Sequence, residues 1–225
     1  MSAKQDGERI WKMFIAKPGA YVDGVEGIAS SFAITMLLRV LKKHSPRRIL
    51  ELGSGIGTMT YAICWHISRK SDSRRETIKF HTVENNEYCI DQIERNLDEF
   101  RGVYARFNSV ADAQAIEKEY DLIIVDGGGD LPGDMGIMDF GAMLGRKGVI
   151  LIEGSRGYQR NRVKEWYKDR KCIEIFLKHT PKRKSKLRLF FFEPYISQRI
   201  YYRIVEIAYR VRFAAAMRWM LMSAK

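Results

Sequence analysis

The chain has 225 residues, 46% of them apolar and 29% charged, and a formal net charge of +12. That content suffices for one well-buried core with a short extension and excludes a low-complexity or repeat chain. Three cysteines, Cys64, Cys89 and Cys172, stand far apart with no CxxC pair, so they read as buried thiols of a reducing compartment, and the four histidines show no metal-ligand spacing.

Residues 1–44 read as helices. Met1 to Trp11 is polar with no apolar leader-like run, and the longest uncharged stretch, Gly27 to Leu38, is too short to span a bilayer. A cytoplasmic location is the expectation. Trp11, Met13, Phe14 and Tyr21 read as the packing side of this region rather than a lid.

Residues 48 to 58 are the most informative: Arg-Ile-Leu-Glu-Leu-Gly-Ser-Gly-Ile-Gly-Thr. An apolar run, Ile49 to Leu52, enters a turn with Gly53, Ser54, Gly55 and Gly57. A helical pattern follows through Met59, Ala62, Ile63 and Ile67. Strand, glycine turn and helix make half of a nucleotide-type α/β site. Glycine takes positive φ without a Cβ clash and lets a ligand lie on the backbone. A dinucleotide turn reads G-x-G-x-x-G. Here the third glycine comes one residue early, at Gly57, and Thr58 holds its place. Glu51, two residues before the turn, would repel phosphate and attract an ammonium group. The pattern therefore favours a cationic, phosphate-free ligand over a nicotinamide dinucleotide.

Ile78 to Val83 is a β-rich run ending in Glu84-Asn85-Asn86, and a helix-like stretch spans Glu87 to Phe100. An acid at the end of the second strand is placed to accept both hydroxyls of a ribose. Such charged hydrogen bonds are worth roughly 1.5–3 kcal/mol each. Tyr120 to Val125 reads as a parallel strand buried on both faces, ending in Asp126 and Gly127 to Gly129. Gly148 to Ile152 reads as another, ending in Glu153-Gly154. Glu84, Asp126 and Glu153 thus fall at the strand edge where open α/β sheets bind ligands. Cys172 to Leu177 and Leu187 to Phe192 are two further β-rich runs, joined by a basic turn, His179 to Lys186, that contains Pro181.

The segment Glu51-Leu-Gly-Ser-Gly-Ile-Gly57 resembles the first motif, E/D-x-G-x-G-x-G, of the class I S-adenosylmethionine-dependent methyltransferases. The likeness covers about residues 20 to 194 and is specific in that motif, in Val83-Glu84 and in Asp121 to Gly127. It implies an α/β three-layer sandwich around a seven-stranded, mostly parallel sheet that ends in an antiparallel hairpin. It divides the chain into N-terminal helices and a substrate-side cap (1–44), a cofactor-binding core (45–194) and a basic amphipathic helical extension (195–225). Glu51 would sit near the methionine ammonium; Gly53, Ser54, Gly55 and Gly57 would form the backbone bed; Glu84 and Asn85 would bind the ribose side. The adenine-side motif falls on Asn108-Ser109-Val110 or on Asp112, with Ser109 counted among the cofactor-binding residues.

Within that superfamily the chain is most similar to small O-methyltransferases of the catechol type, through Val25-Glu26-Gly27 and Asp126-Gly127. Their metal site adds an Asp-Asn pair after the fifth strand, where this chain has Glu153-Gly154. Glycine supplies no side-chain ligand, which argues against a divalent metal. Asp126, which also borders the cofactor, is the candidate general base, with Glu153 second; Tyr21 or Tyr158 could orient the acceptor.

Charge is distributed unevenly. Residues 1–154 carry 20 basic and 22 acidic side chains, and residues 155–225 carry 19 and 5. The excess gathers at Arg156, Arg160, Arg162 and Lys164, at Lys182 to Arg188, and on five arginines of the terminal helix. The first two groups would form a basic rim for an anionic acceptor. In the segment Tyr195 to Met222, Arg199, Arg203, Glu206 and Arg210 form one polar stripe and Ile196, Ile200, Ile204, Ile207 and Val211 line much of the rest. Packing in a homodimer or on the core, an anionic membrane surface and nucleic acid are all candidate partners, so peripheral membrane contact is part of the expectation. The expected activity is O-methylation of a small hydroxyl compound, with anionic ones among the candidates. The alternatives are methylation of RNA or another macromolecule and a non-methylating relative, such as an aminopropyltransferase-like enzyme or a cofactor-binding protein without activity.

Overall fold

The computed structural model describes residues 2–17, 28–126, 142–154, 157–178 and 186–194, and in the C-terminal segment 199–201, 203–208 and 210–211. Val25-Glu26-Gly27, Tyr21, Gly127 to Gly129 and the hairpin turn 179–185 lie outside the described residues.

Two serine-capped helices precede the sheet. α1 (Ala3–Ile15) opens with a capping box: the Ser2 hydroxyl accepts from Gln5 N–H, and Gln5 Oε1 accepts from Ser2 N–H. α2 (Ser31–His44) starts at Ser30, whose hydroxyl accepts from Ala33 N–H at 3.1 Å, and ends at Ser45 in the left-handed region. Ten of its 14 residues are buried, so it is a core helix rather than a surface one. A Cβ at Gly7 would lie 3.0 Å from the Thr35 backbone nitrogen, so glycine there permits the close crossing of α1 on α2.

The remaining elements alternate: β1 (Arg48–Leu52), α3 (Thr58–Ser68), the short α4 (Asp72–Arg75), β2 (Lys79–Val83), α5 (Glu87–Asn96), β3 (Ala105–Phe107), α6 (Val110–Ile116), β4 (Tyr120–Val125), β5 (Leu144–Glu153), α7 (Gly157–Trp166), β6 (Cys172–Lys178) and β7 (Lys186–Phe192). The seven strands form one sheet in the order β3-β2-β1-β4-β5-β7-β6. All neighbours from β3 to β5 pair in parallel, and β7 pairs antiparallel with both β5 and β6. The strand order therefore reverses between β1 and β4, which is the topological switch point of the sheet.

The strands are apolar on both faces because helices cover both. Ile49, Leu122, Ile124, Val149 and Leu151 share one apolar cluster with α1, α2 and α3. Leu50, Leu52, Ile123, Val125, Ile150 and Ile152 share a second with residues of α6 and α7. This is the expected three-layer sandwich. Asp121 fastens the opposite end of the sheet: its Oδ2 accepts from Arg47 and Arg48 N–H, and its Oδ1 from Arg48 Nη2 at 3.0 Å.

Three details differ from the sequence expectation. The helix from Glu87 stops at Asn96, and a 3-10 turn, Asp98–Phe100, follows. β5 begins at Leu144 rather than Gly148, with a register shift that pairs Leu144 to Tyr120. Cys64 and Cys89 are buried but Cys172 is exposed, because it opens the edge strand β6; all three are free.

Residues 199–201, 203–208 and 210–211 are helical. Val205 packs on the first apolar cluster, and Glu206 is buried between Arg203 Nη1 at 2.7 Å and Arg210 Nη2 at 2.9 Å. No helix among the described residues is long and apolar enough to cross a membrane.

Candidate functional site

The C-terminal ends of β1, β2, β4 and β5 converge at the switch point. After β1, Gly53, Gly55 and Gly57 take φ of 80°, 53° and 92°, so all three use the left-handed region where a side chain is strained. The turn is tied to its neighbours. Gly53 N–H donates to Val83 O, Gly57 N–H to Ser54 O, and Asp126 N–H to Leu52 O, each at 2.9 Å. Asn96 Nδ2 donates to Ile56 O at 2.9 Å from α5. A Cβ at Gly57 would come within 3.2 Å of Leu97 Cδ1, so helix packing as well as backbone angle demands glycine.

Glu84 closes the turn from β2. Its Oε2 accepts from Gly55 N–H at 2.9 Å, and its Oε1 accepts from Asn85 and Asn86 N–H, each at 3.0 Å. A carboxylate offers about four acceptor positions. Three are filled by backbone donors, leaving one open. Asn85 is exposed and contributes its N–H to Glu84. Ser109 caps α6: its hydroxyl accepts from Asp112 N–H at 3.2 Å, so both adenine-side candidates belong to one capping unit.

Glu51 differs from its expected setting. It is fully buried and faces α3, where Thr60 Oγ1 donates to its Oε2 at 2.7 Å. Thr82 Oγ1, its register partner on β2, donates to the same oxygen at 3.0 Å. The Thr82 hydroxyl proton is thereby used, so the buried Ser54 hydroxyl, hydrogen-bonded to Thr82 Oγ1, is the donor of that pair. Glu51 Oε1 is buried with no hydrogen-bond partner among the described residues. Burial pushes the Glu51 carboxyl up to about 8; the charges on Asp126 and Glu84 act in the same direction, and the two threonine hydroxyls against it. A carboxyl so raised keeps its proton at neutral pH, and a cation bound beside it would favour the charged form.

At the β5 end, Glu153 reaches back to α2. Ser30 Oγ donates to Glu153 Oε1 at 2.6 Å and Ser30 N–H at 3.0 Å. Glu153 Oε2 is sealed from solvent. Burial, the charge on Asp126 and a side-chain hydrogen bond to Asp126 raise the Glu153 carboxyl well above the usual range, against the two Ser30 donors. Two carboxyl groups in hydrogen bond need a proton between them. Both residues are half-buried, but Glu153 Oε2 is sealed from solvent and its carboxyl is raised, so Glu153 is the member that favours the proton. Asp126 keeps part of its surface open.

Ser30, Thr60 and Thr82 are site residues that sequence reasoning missed. Ser30 carried a helix-cap signal, but nothing in the sequence points across 123 residues to Glu153. The basic rim is partly consumed. Arg160, Lys164 and Arg188 all pair with Glu174 on β6 at 2.5–2.8 Å, and against the opposing effect of burial Arg160 and Lys164 bring the Glu174 carboxyl down to about 2. Tyr158 sits in α7, partly exposed. Among the described residues no three metal-ligating side chains gather. A cleft of about 340 Å³ lies elsewhere, lined by Arg47, His66, Lys70 and Arg74 near the opposite edge.

No protein-family model and no curated protein sequence matches the chain. Solved structures do match it in shape. The O-methyltransferase TomG of Streptomyces achromogenes, in complex with SAM, superposes with a TM-score of 0.56 at 14% identity, over 86% of this chain and 91% of that one. The SAH-bound methyltransferase PaMTH1 of Podospora anserina gives 0.53 at 17%, over 86% and 89%. A precorrin-6y C5,15-methyltransferase of Geobacter metallireducens gives 0.53 at 12%, over 75% and 91%. The likeness is one of fold: the chain shares the fold of these methyltransferase structures.

Proposed function

We propose that this chain is an S-adenosylmethionine-dependent methyltransferase that O-methylates a small hydroxyl compound. The observation that carries the reading is the acid cluster at the glycine turn. Glu51 has an unpartnered, buried oxygen, and Glu84 and Asp126 add negative charge around it. A ligand bearing an ammonium and a sulfonium fits that field, whereas a pyrophosphate does not. Gly53, Ser54, Gly55 and Gly57 offer a backbone bed, and the remaining acceptor position of Glu84 suits a ribose hydroxyl. Glu51 reaches the ammonium through Oε1, directly or by one water. Ser109, at the start of α6, is the adenine-side candidate.

The cofactor supplies an electrophilic methyl group. This chain's residues align the acceptor oxygen with it and take up the acceptor's proton. Asp126 is the proposed base, since it stands at the switch point with part of its surface open. Glu153, held by Ser30 and with its carboxyl raised, stands beside Asp126 as the group that orients it. The fold neighbours include enzymes acting on quite different acceptors, so the acceptor class rests on the Asp126 geometry. A macromolecular acceptor is the second reading, favoured by the 19 basic side chains after residue 154; steep salt dependence of oligonucleotide binding would support it.

The test is calorimetric titration with S-adenosylhomocysteine, with NAD as control and Gly55→Asp as the variant. Micromolar binding of the first ligand alone, lost in the variant, is expected. Absence of that binding sinks the cofactor assignment and leaves the fold.

A further inference from the structure

Most of the exposed large apolar side chains among the described residues lie on the C-terminal segment. Ile200, Ile204, Ile207 and Val211 are 57–62% exposed. At about 100° per residue these four positions fall within an arc of about 60° and along about 16 Å of helix. The half-buried Val205 and the buried Glu206 lie on the far side of the helix from them. The segment therefore docks on the body through one face and turns its aliphatic face outward. Arg199, Arg203 and Arg210 occupy a single flank of that stripe, and all three are exposed. The segment's acid, Glu206, is already paired with Arg203 and Arg210.

We propose that this stripe is a docking surface for an anionic lipid bilayer. The proposal goes beyond methyl transfer and does not depend on it. Four branched aliphatic side chains in a row suit the acyl boundary, and the arginine flank suits acidic headgroups. A second copy fits less well. A two-fold interface sets the same patch against itself, and an antiparallel pair of these helices would bring both arginine flanks together with no exposed described acid on the segment to separate them. Nucleic acid fits the arginines but leaves the aliphatic row in water. The surrounding sequence carries the same charge sign, since residues 155–225 hold 19 basic and 5 acidic side chains.

The test uses the full chain and pelleted vesicles, either pure phosphatidylcholine or phosphatidylcholine mixed with phosphatidylglycerol. Binding to the anionic vesicles alone is expected, weakening as salt is added. Ile204→Asp with Ile207→Asp abolishes it, and Arg199→Gln lowers the partition roughly fivefold. Thermal melts establish that the variants remain folded; Ile204→Asp alone serves if the pair does not. Failure to bind anionic vesicles, or binding indifferent to the Ile→Asp pair, overturns the proposal. So does a dimer on size exclusion that the same pair splits, since the stripe then belongs to a second copy. Oligonucleotide binding in place of vesicle binding overturns it too.

Discussion

The two halves of the ligand edge hold their acids by different means. At β1 and β2, Glu84 is fixed by three backbone N–H groups. These donors do not titrate. At β4 and β5, Glu153 is held by the two Ser30 donors, and burial together with the neighbouring Asp126 raises its carboxyl well above the usual range. The first arrangement keeps its geometry across a wide pH range; the second is built on a group that ionises. A site meant to bind one ligand steadily and to move a proton on another would divide its labour in this way. Glu51 stands between them, fully buried where Glu153 is half-buried, and its Oε1 has no hydrogen-bond partner among the described residues.

The division is broken most strongly at Asp126. Asp126→Asn should reduce turnover by on the order of 10²–10⁴ and leave S-adenosylhomocysteine affinity within about twofold by calorimetry. A loss of affinity equal to the loss of turnover would move Asp126 to the binding half. Glu84→Ala should act the other way. It removes an acceptor from Gly55, Asn85 and Asn86 and from the ligand, and affinity should fall roughly 10–100-fold. Unchanged affinity would remove Glu84 from the ligand.

Glu51 and Glu153 sharpen the comparison through pH. A carboxyl raised to about 8 in the folded chain, from an ordinary value of 4.5, binds more protons folded than unfolded over that window. Its contribution to stability is full below 4.5 and declines as the pH rises towards 8. Glu51→Gln should therefore raise the melting temperature of the ligand-free protein at pH 8 by several degrees and change it little at pH 4.5. The same variant should weaken S-adenosylhomocysteine binding. Glu153→Gln keeps an acceptor for Ser30 and a donor for Asp126, so it should melt like the parent at neutral pH. The smallest effect is expected for Ser30→Ala. Losing the cap on Ala33 and the tie to Glu153 should cost about 1–2 kcal/mol, read as a melting shift of about 2–4 °C per kcal/mol.

The motif at residues 51–57 located the turn because its glycines satisfy two local demands, positive φ and close helix packing. Tyr120 to Val125 and the paired runs from Cys172 and Leu187 were legible because covered strands are continuously apolar. β3 was not delimited, since Ala105–Phe107 is three residues long and partly exposed. The start of β5 was hidden by Gly145, Arg146 and Lys147 inside it. The inward turn of Glu51 was not legible either. With helices on both faces, alternation does not say which face an acid takes, and only the register with Thr82 shows it. The terminal stripe was legible as a pattern, but its outward direction follows from Glu206 being drawn inward between Arg203 and Arg210.

The position of β7 has a consequence for synthesis. It lies between β5 and β6 although it is made after both. As the chain emerges, the β5 edge from Val149 to Glu153 has no partner on that side until Lys186 to Phe192 follows. For that interval a row of unpaired amides carries Val149, Ile150, Leu151 and Ile152, a template for pairing with another nascent chain. Arg146 and Lys147 stand at its head as like-charged guards. A chain cut anywhere before residue 186 loses the strand that closes the sheet, and insolubility rather than partial activity is its expected fate.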